Sequence, residues 1–136
     1  MKRTICKDML LLSRPSKDAD ISDLPTAMDL MDTLKSHRAS CVGMAANMIG
    51  VLKRIIVFST GPAVFCMMNP VITARSGPYE TEEGCLSLSG TRKTTRYKNI
   101  TVSYQDLSFH KKQQKFTGYT AQIIQHEIDH TNGIVI

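Results

Sequence analysis

The residues His126-Glu127-Ile128-Asp129-His130 match the pattern H-E-x-x-H. Side chains four apart on a helix stand on one side about one turn apart. Two imidazoles there can converge on one metal ion, while the adjacent Glu127 leans towards a water bound to that ion. A five-residue pattern also arises by chance, and a capped surface helix with two incidental histidines is the competing reading. Two of the four histidines in the chain fall on these positions, which weakens that alternative.

A catalytic metal site needs a third protein ligand and an open position. Thr131 to Ile136 (TNGIVI) offer no strong donor, so the third ligand is expected upstream. This disfavours a zincin-type endopeptidase, which takes its third ligand downstream. The upstream candidate is Cys85, within Glu83-Gly84-Cys85-Leu86-Ser87.

The elements that must position these groups are readable from periodicity. Leu24, Ala27, Met28, Met31 and Leu34 have helical spacing, which predicts a helix over 22–38 with Ser22 or Asp23 as cap and Pro25 in its first turn. Arg54–Ser59 and Val64–Thr73 are β-rich runs separated by Thr60-Gly61-Pro62, a turn signal. A polar, glycine-punctuated stretch over 80–90 precedes further β-like runs at 100–104 and near 115–119, with a polar hairpin over 106–112 between them. From Thr120, Ala121, Ile124 and Ile128 share one helical face, with Thr117 or Thr120 as cap and Gly133 as the left-handed stop. The fold class is α+β, with antiparallel sheet packed around a C-terminal metal-binding helix and a helix nearer the N-terminus. One domain over 1–136 is expected.

Apolar residues at 42% and charged residues at 21% exclude a disordered chain. The first residues carry no signal-peptide pattern and no stretch is long enough to span a membrane, so a cytoplasmic protein with reduced thiols is expected. Cys6, Cys41 and Cys66 are expected to be small buried hydrophobes. The net charge of +5 is concentrated in Arg92, Lys93, Arg96 and Lys98, and in Lys111, Lys112 and Lys115. These read as solvated strand and hairpin faces, because no nucleic-acid motif accompanies them.

E-G-C-L-S, followed some forty residues later by Q-H-E-x-D-H-x-x-G over 125–133, resembles the second and third motifs of peptide deformylases. The first family motif, G-x-G-x-A-A-x-Q-x-G, is present in weakened form over 41–50 (CVGMAANMIG). The resemblance implies that Cys85, His126 and His130 hold one divalent ion, Fe²⁺ in the cell, with Zn²⁺, Ni²⁺ or Co²⁺ as other occupants. It also implies that the substrate is an N-formylmethionyl peptide or nascent chain. A monomer is expected. Glu127 would take a proton from a metal-activated water and return it to the departing amine. The oxyanion would be met by the backbone N–H of Leu86 and by a first-motif glutamine amide. Val42, Gly43, Gly84 and Arg92 would border the substrate.

That glutamine is Met48 here. A thioether donates no hydrogen bond, so slow turnover is expected unless Asn47, a water or the metal substitutes. Cys41 replaces a family glycine and is expected either to crowd the cleft or to point into the core or solvent. Met44, Met67 and Met68 read as core packing, with a methionine-accommodating pocket as the alternative. A metal-binding module without catalysis is the runner-up, motivated by Met48 and opposed by the retained Glu127.

Overall fold

The structure, a computed structural model, describes residues 1–85 and 88–135, and the side chain of Leu88 is not described. Helix α1 (Met9–Leu12) is a single turn whose N-cap, Asp8, accepts the Leu10 N–H at 3.0 Å. Sequence periodicity does not reveal an element this short. A 3₁₀ turn (Ile21–Asp23) leads into α2 (Leu24–Ser36), where Pro25 sits in the first turn and Ala27, Leu30 and Leu34 are buried.

Five strands follow: β1 (Gly43–Ala45), β2 (Ile55–Thr60), β3 (Ala63–Cys85), β4 (Leu88–Gln105) and β5 (Lys111–Thr117). They form one antiparallel sheet in the order β1-β2-β3-β4-β5. Gly61 and Pro62 make the β2–β3 turn, as the sequence indicates. Asp106 shapes the β4–β5 hairpin by accepting the N–H groups of Ser108 and His110.

The described residues of the polar stretch over 80–90 stay in the sheet. Pairing of β3 with β4 continues from Glu80↔Thr95 to Gly84↔Thr91 and closes at Cys85↔Leu88. Backbone pairing overrides the weak propensity of this stretch. Ladder irregularities fall at Met68/Val71, Ile72/Ala74 and Gly84/Cys85, and such bulges bend strands. The first holds Asn69-Pro70, with Asn69 at φ 52° and its side chain bonded to Ala19 and Gln105. β5 ends at Thr117, so Tyr119 of the expected third run belongs to α3 (Gly118–Thr131).

The continuous apolar run in β2 is explained by burial of both faces. Ile55 and Val57 join α2, Met44, Met48 and Met68 in one cluster. Ile56 and Phe58 face α3 in a second cluster with Met67, Ile100 and Val102. Met44, Met67 and Met68 are therefore core residues, all at most 2% exposed. Helix α3 is covered on nearly every side, with Ile123, Ile124, Gln125, His126, Glu127 and His130 buried. Gln125 fastens it to β4 by bonds to the N–H and C=O of Tyr97, both 2.8 Å. Gly133 ends it at φ 78°, and a Cβ there would lie 2.5 Å from the Ser13 carbonyl oxygen. The expected left-handed stop is thus also a point of close chain approach.

Candidate active site

Helix α3 presents His126 and His130 one turn apart, with their Nε2 atoms 3.0 Å from each other. Cys85, at the last pair of β3, lies within hydrogen-bond reach of His126. The ligand atoms of Cys85, His126 and His130 all fall within 4.8 Å of one another. One thiol and two imidazoles suit zinc and ferrous iron alike, and a catalytic ion so held keeps its fourth position open.

A polar network behind His126 escapes motif reading. Glu83 Oε1 accepts from His126 Nδ1 at 2.7 Å, which turns Nε2 towards the cluster. The Arg96 guanidinium grips Glu83 with Nε at 3.0 Å and Nη2 at 2.6 Å, and reaches Asp129 with Nη1 at 2.5 Å. Gln122 donates to the other Glu83 oxygen at 2.9 Å. Arg96 is therefore not a solvated charge, and at 3% exposed it corrects that expectation. It shares the inward side of β4 with Ile100 and Val102, and two carboxylates compensate its burial.

These contacts set the electrostatics. Burial works against the Glu83 carboxylate, yet bonds from His126, Arg96 and Gln122 outweigh it and hold its pKa at about 2. Burial alone would depress the His126 ring, but bonds to Cys85 and Glu83 and the charge of Glu127 lift its pKa to about 10. A metal ion must displace that proton. We expect Glu83→Gln to weaken metal binding about 10–100-fold, as loss of a partner behind a ligating histidine does elsewhere. Competition with a chromogenic chelator measures this.

Glu127 is 4% exposed, and its Oε1 has no hydrogen-bond partner among the described residues. Burial is the main cause that raises its pKa to about 7, near the value that suits a general base at neutral pH. Its close approach to β1 depends on Gly43, where a Cβ would fall 2.8 Å from Ile123 Cγ2 and 2.9 Å from Glu127 Oε2. Gly43→Ala must displace the carboxylate. We expect kcat to fall about 10²-fold with metal stoichiometry unchanged, as read by steady-state kinetics beside metal analysis.

The Cys85, His126 and Glu127 side chains border a cleft of about 500 Å³. Val42, Gly43, Gly84 and Met48 line it as well. Met48 is 1% exposed and stands on the cleft wall, in the 3₁₀ turn Ala46–Ile49 that follows β1. Asn47 does not replace it as a donor, because its Nδ2 is given to the His130 carbonyl at 2.8 Å and it does not line the cleft. Arg92 is exposed opposite Glu83 in the β3–β4 ladder and is not a lining residue. Leu86, whose N–H was expected to meet the oxyanion, lies outside the described residues.

Of the thiols expected in the core, Cys6, Cys41 and Cys66 are all half-buried. Cys41 lines the cleft, and its thiol donates to the Gly43 carbonyl at 2.9 Å. Burial first, and then the Glu127 charge, push its pKa up to about 11.

The family model for polypeptide deformylase matches residues 5–136. The chain belongs to the polypeptide deformylase family. A peptide deformylase of Clostridium beijerinckii is 54% identical over 136 residues, covering all of both chains. The crystal structure of the Thermus thermophilus peptide deformylase superposes with a TM-score of 0.86 at 34% identity, covering 99% of this chain and 83% of that one. A class I type b peptide deformylase of Acinetobacter baumannii, solved with Met-Ala-Ser bound, gives a TM-score of 0.89 at 26% identity and covers 99% and 97%. The family fold thus extends over the strands, the cleft and the Cys85–His126–His130 cluster of this chain.

Proposed function

We propose that the chain is a metal-dependent hydrolase that releases formate from N-formylmethionyl peptides, with turnover held down by Met48. The observation that carries this reading is the convergence of Cys85, His126 and His130 beside a buried Glu127 carboxylate facing the same cleft. Cys85, His126 and His130 would hold the divalent ion, with Fe²⁺ as the cellular occupant and Zn²⁺, Ni²⁺ or Co²⁺ as substitutes. A bound ion supplies acidification of water and polarisation of the formyl carbonyl.

The residues of the chain do the rest. Glu127 takes the proton of the attacking water and passes it to the amine as the C–N bond breaks. Glu83, backed by Arg96, keeps the His126 proton on Nδ1. β1 is an edge strand of the sheet, and Val42 and Gly43 border the cleft, so an extended peptide can add to it by backbone hydrogen bonds. Of the two oxyanion donors the family resemblance assigns, the Leu86 N–H is retained in kind and the side chain at 48 is not. Loss of one such donor costs about 10²–10³ in turnover.

The proposal extends to a one-domain, cytoplasmic monomer acting on nascent chains. No helix among the described residues is long and apolar enough to cross a membrane. Met48 is also what favours the second reading, a metal-binding module that no longer catalyses. The retained Glu127, poised with a pKa of about 7, opposes it. Formate release from formyl-Met-Ala-Ser, with acetyl-Met-Ala-Ser as control, separates the two. We expect slow formate release from the formylated peptide alone. A fully metal-loaded sample that releases none would establish the module instead.

A further inference from the structure

The cleft holds two thiols, and the second has no part in the proposed chemistry. Cys41 lies in the turn between α2 and β1, outside the strand ladder, with its N–H given to the His37 carbonyl at 2.9 Å. Its sulfur rests 2.9 Å from the carbonyl oxygen of Gly43, the residue against which Glu127 packs. Cys41 and Cys85 line the same cleft and pack on the same apolar cluster. Cys6 and Cys66 do not line the cleft, and the Cys66 thiol points at Met68 Sδ, 3.9 Å away.

We propose that Cys41 and Cys85 are a modification site that closes to a reversible disulfide on exposure to hydrogen peroxide, emptying the metal site. The sulfur of Cys85 attacks one peroxide oxygen, the O–O bond breaks, and a sulfenic acid forms as water leaves. Cys41 then attacks the Cys85 sulfur. The S–S bond forms, the S–O bond breaks, and the displaced hydroxide departs as water with the Cys41 proton. Two thiols lose two electrons and two protons, and one peroxide becomes two waters. Without Cys41, the sulfenic acid continues to sulfinic and sulfonic acid, which reduction does not reverse.

The consequence is protective. A disulfide removes Cys85 from the metal cluster, yet a dithiol reductant restores it.

The test uses metal-loaded protein treated with hydrogen peroxide, trapped with N-ethylmaleimide and analysed by intact mass and peptide mapping, with released metal read by a chelator. In the parent protein, thiols fall from four to two, a peptide pair joins Cys41 to Cys85, and metal is released. Dithiothreitol then returns all four thiols and the capacity to bind metal. In Cys41→Ser, whose hydroxyl can still bond the Gly43 carbonyl, Cys85 gains two or three oxygens and metal capacity stays lost after reduction. The proposal is overturned if Cys85 over-oxidises in the parent protein as it does in the variant. It is equally overturned if the link joins Cys85 to Cys6 or Cys66, or if Cys41→Ser recovers as fully. None of these readouts depends on catalysis, so they stand apart from the deformylase assay.

Discussion

Met48→Gln is expected to raise kcat for formate release by about 10²–10³, the value of one oxyanion donor. The cluster of Cys85, His126 and His130 is untouched by this change, so metal affinity should not move. Position 48 lies on the cleft wall, where an amide can face a reacting carbonyl. It also packs in the apolar cluster with Met44 and Met68, so Met48→Leu is the proper control: similar in volume, with no donor, and without gain. Because the donor acts on charge that develops in the transition state, the gain belongs in kcat. A change in KM alone would mean that residue 48 contacts substrate without stabilising the oxyanion.

Glu127→Gln is expected to reduce formate release by about 10²–10⁴, the usual worth of a positioned proton carrier, with metal content retained. The same change should stabilise the metal-free protein at neutral and alkaline pH. The folded pKa of about 7 lies above the ordinary value of 4.5. Between those values the native state holds the Glu127 proton more tightly than the unfolded chain does, so this residue costs stability as pH rises through about 7. A neutral amide carries no such cost. Melting curves of metal-free protein should show Glu127→Gln above the parent near pH 8, with the gap closing towards pH 4.5. Equal melting temperatures at both pH values would mean that Glu127 is not held in a low-dielectric site.

The convergence of Cys85, His126 and His130 and the order of the elements were legible in the sequence for different reasons. His126 and His130 follow from helix geometry alone, because four residues bring side chains to one face. Cys85 needed the motif around it, since nothing local says that a cysteine in a polar stretch meets a helix forty residues later. The Glu83–Arg96–Asp129 network was not readable. Its members lie on β3, β4 and α3, and the β3–β4 pairing that joins the first two runs through a segment whose composition does not look like strand. Had the strand been recognised, alternation would have placed Glu83 on the same side as Cys85, two residues on. Arg96 looked like one more cation in a basic run, and only its partners distinguish it from exposed Arg92 and Lys93. Cys41 was visible as a departure from the first motif. Its place on the cleft wall beside Gly43 is a tertiary fact.

An anaerobic titration of metal-free protein with Fe²⁺, following formate release from formyl-Met-Ala-Ser, reports whether one ion at Cys85, His126 and His130 carries the reaction. We expect activity to rise linearly and break at one equivalent of metal per chain, with no break and no formate in His130→Ala. Formate release that ignores added metal, or that survives in His130→Ala, would contradict a single catalytic ion held by Cys85, His126 and His130.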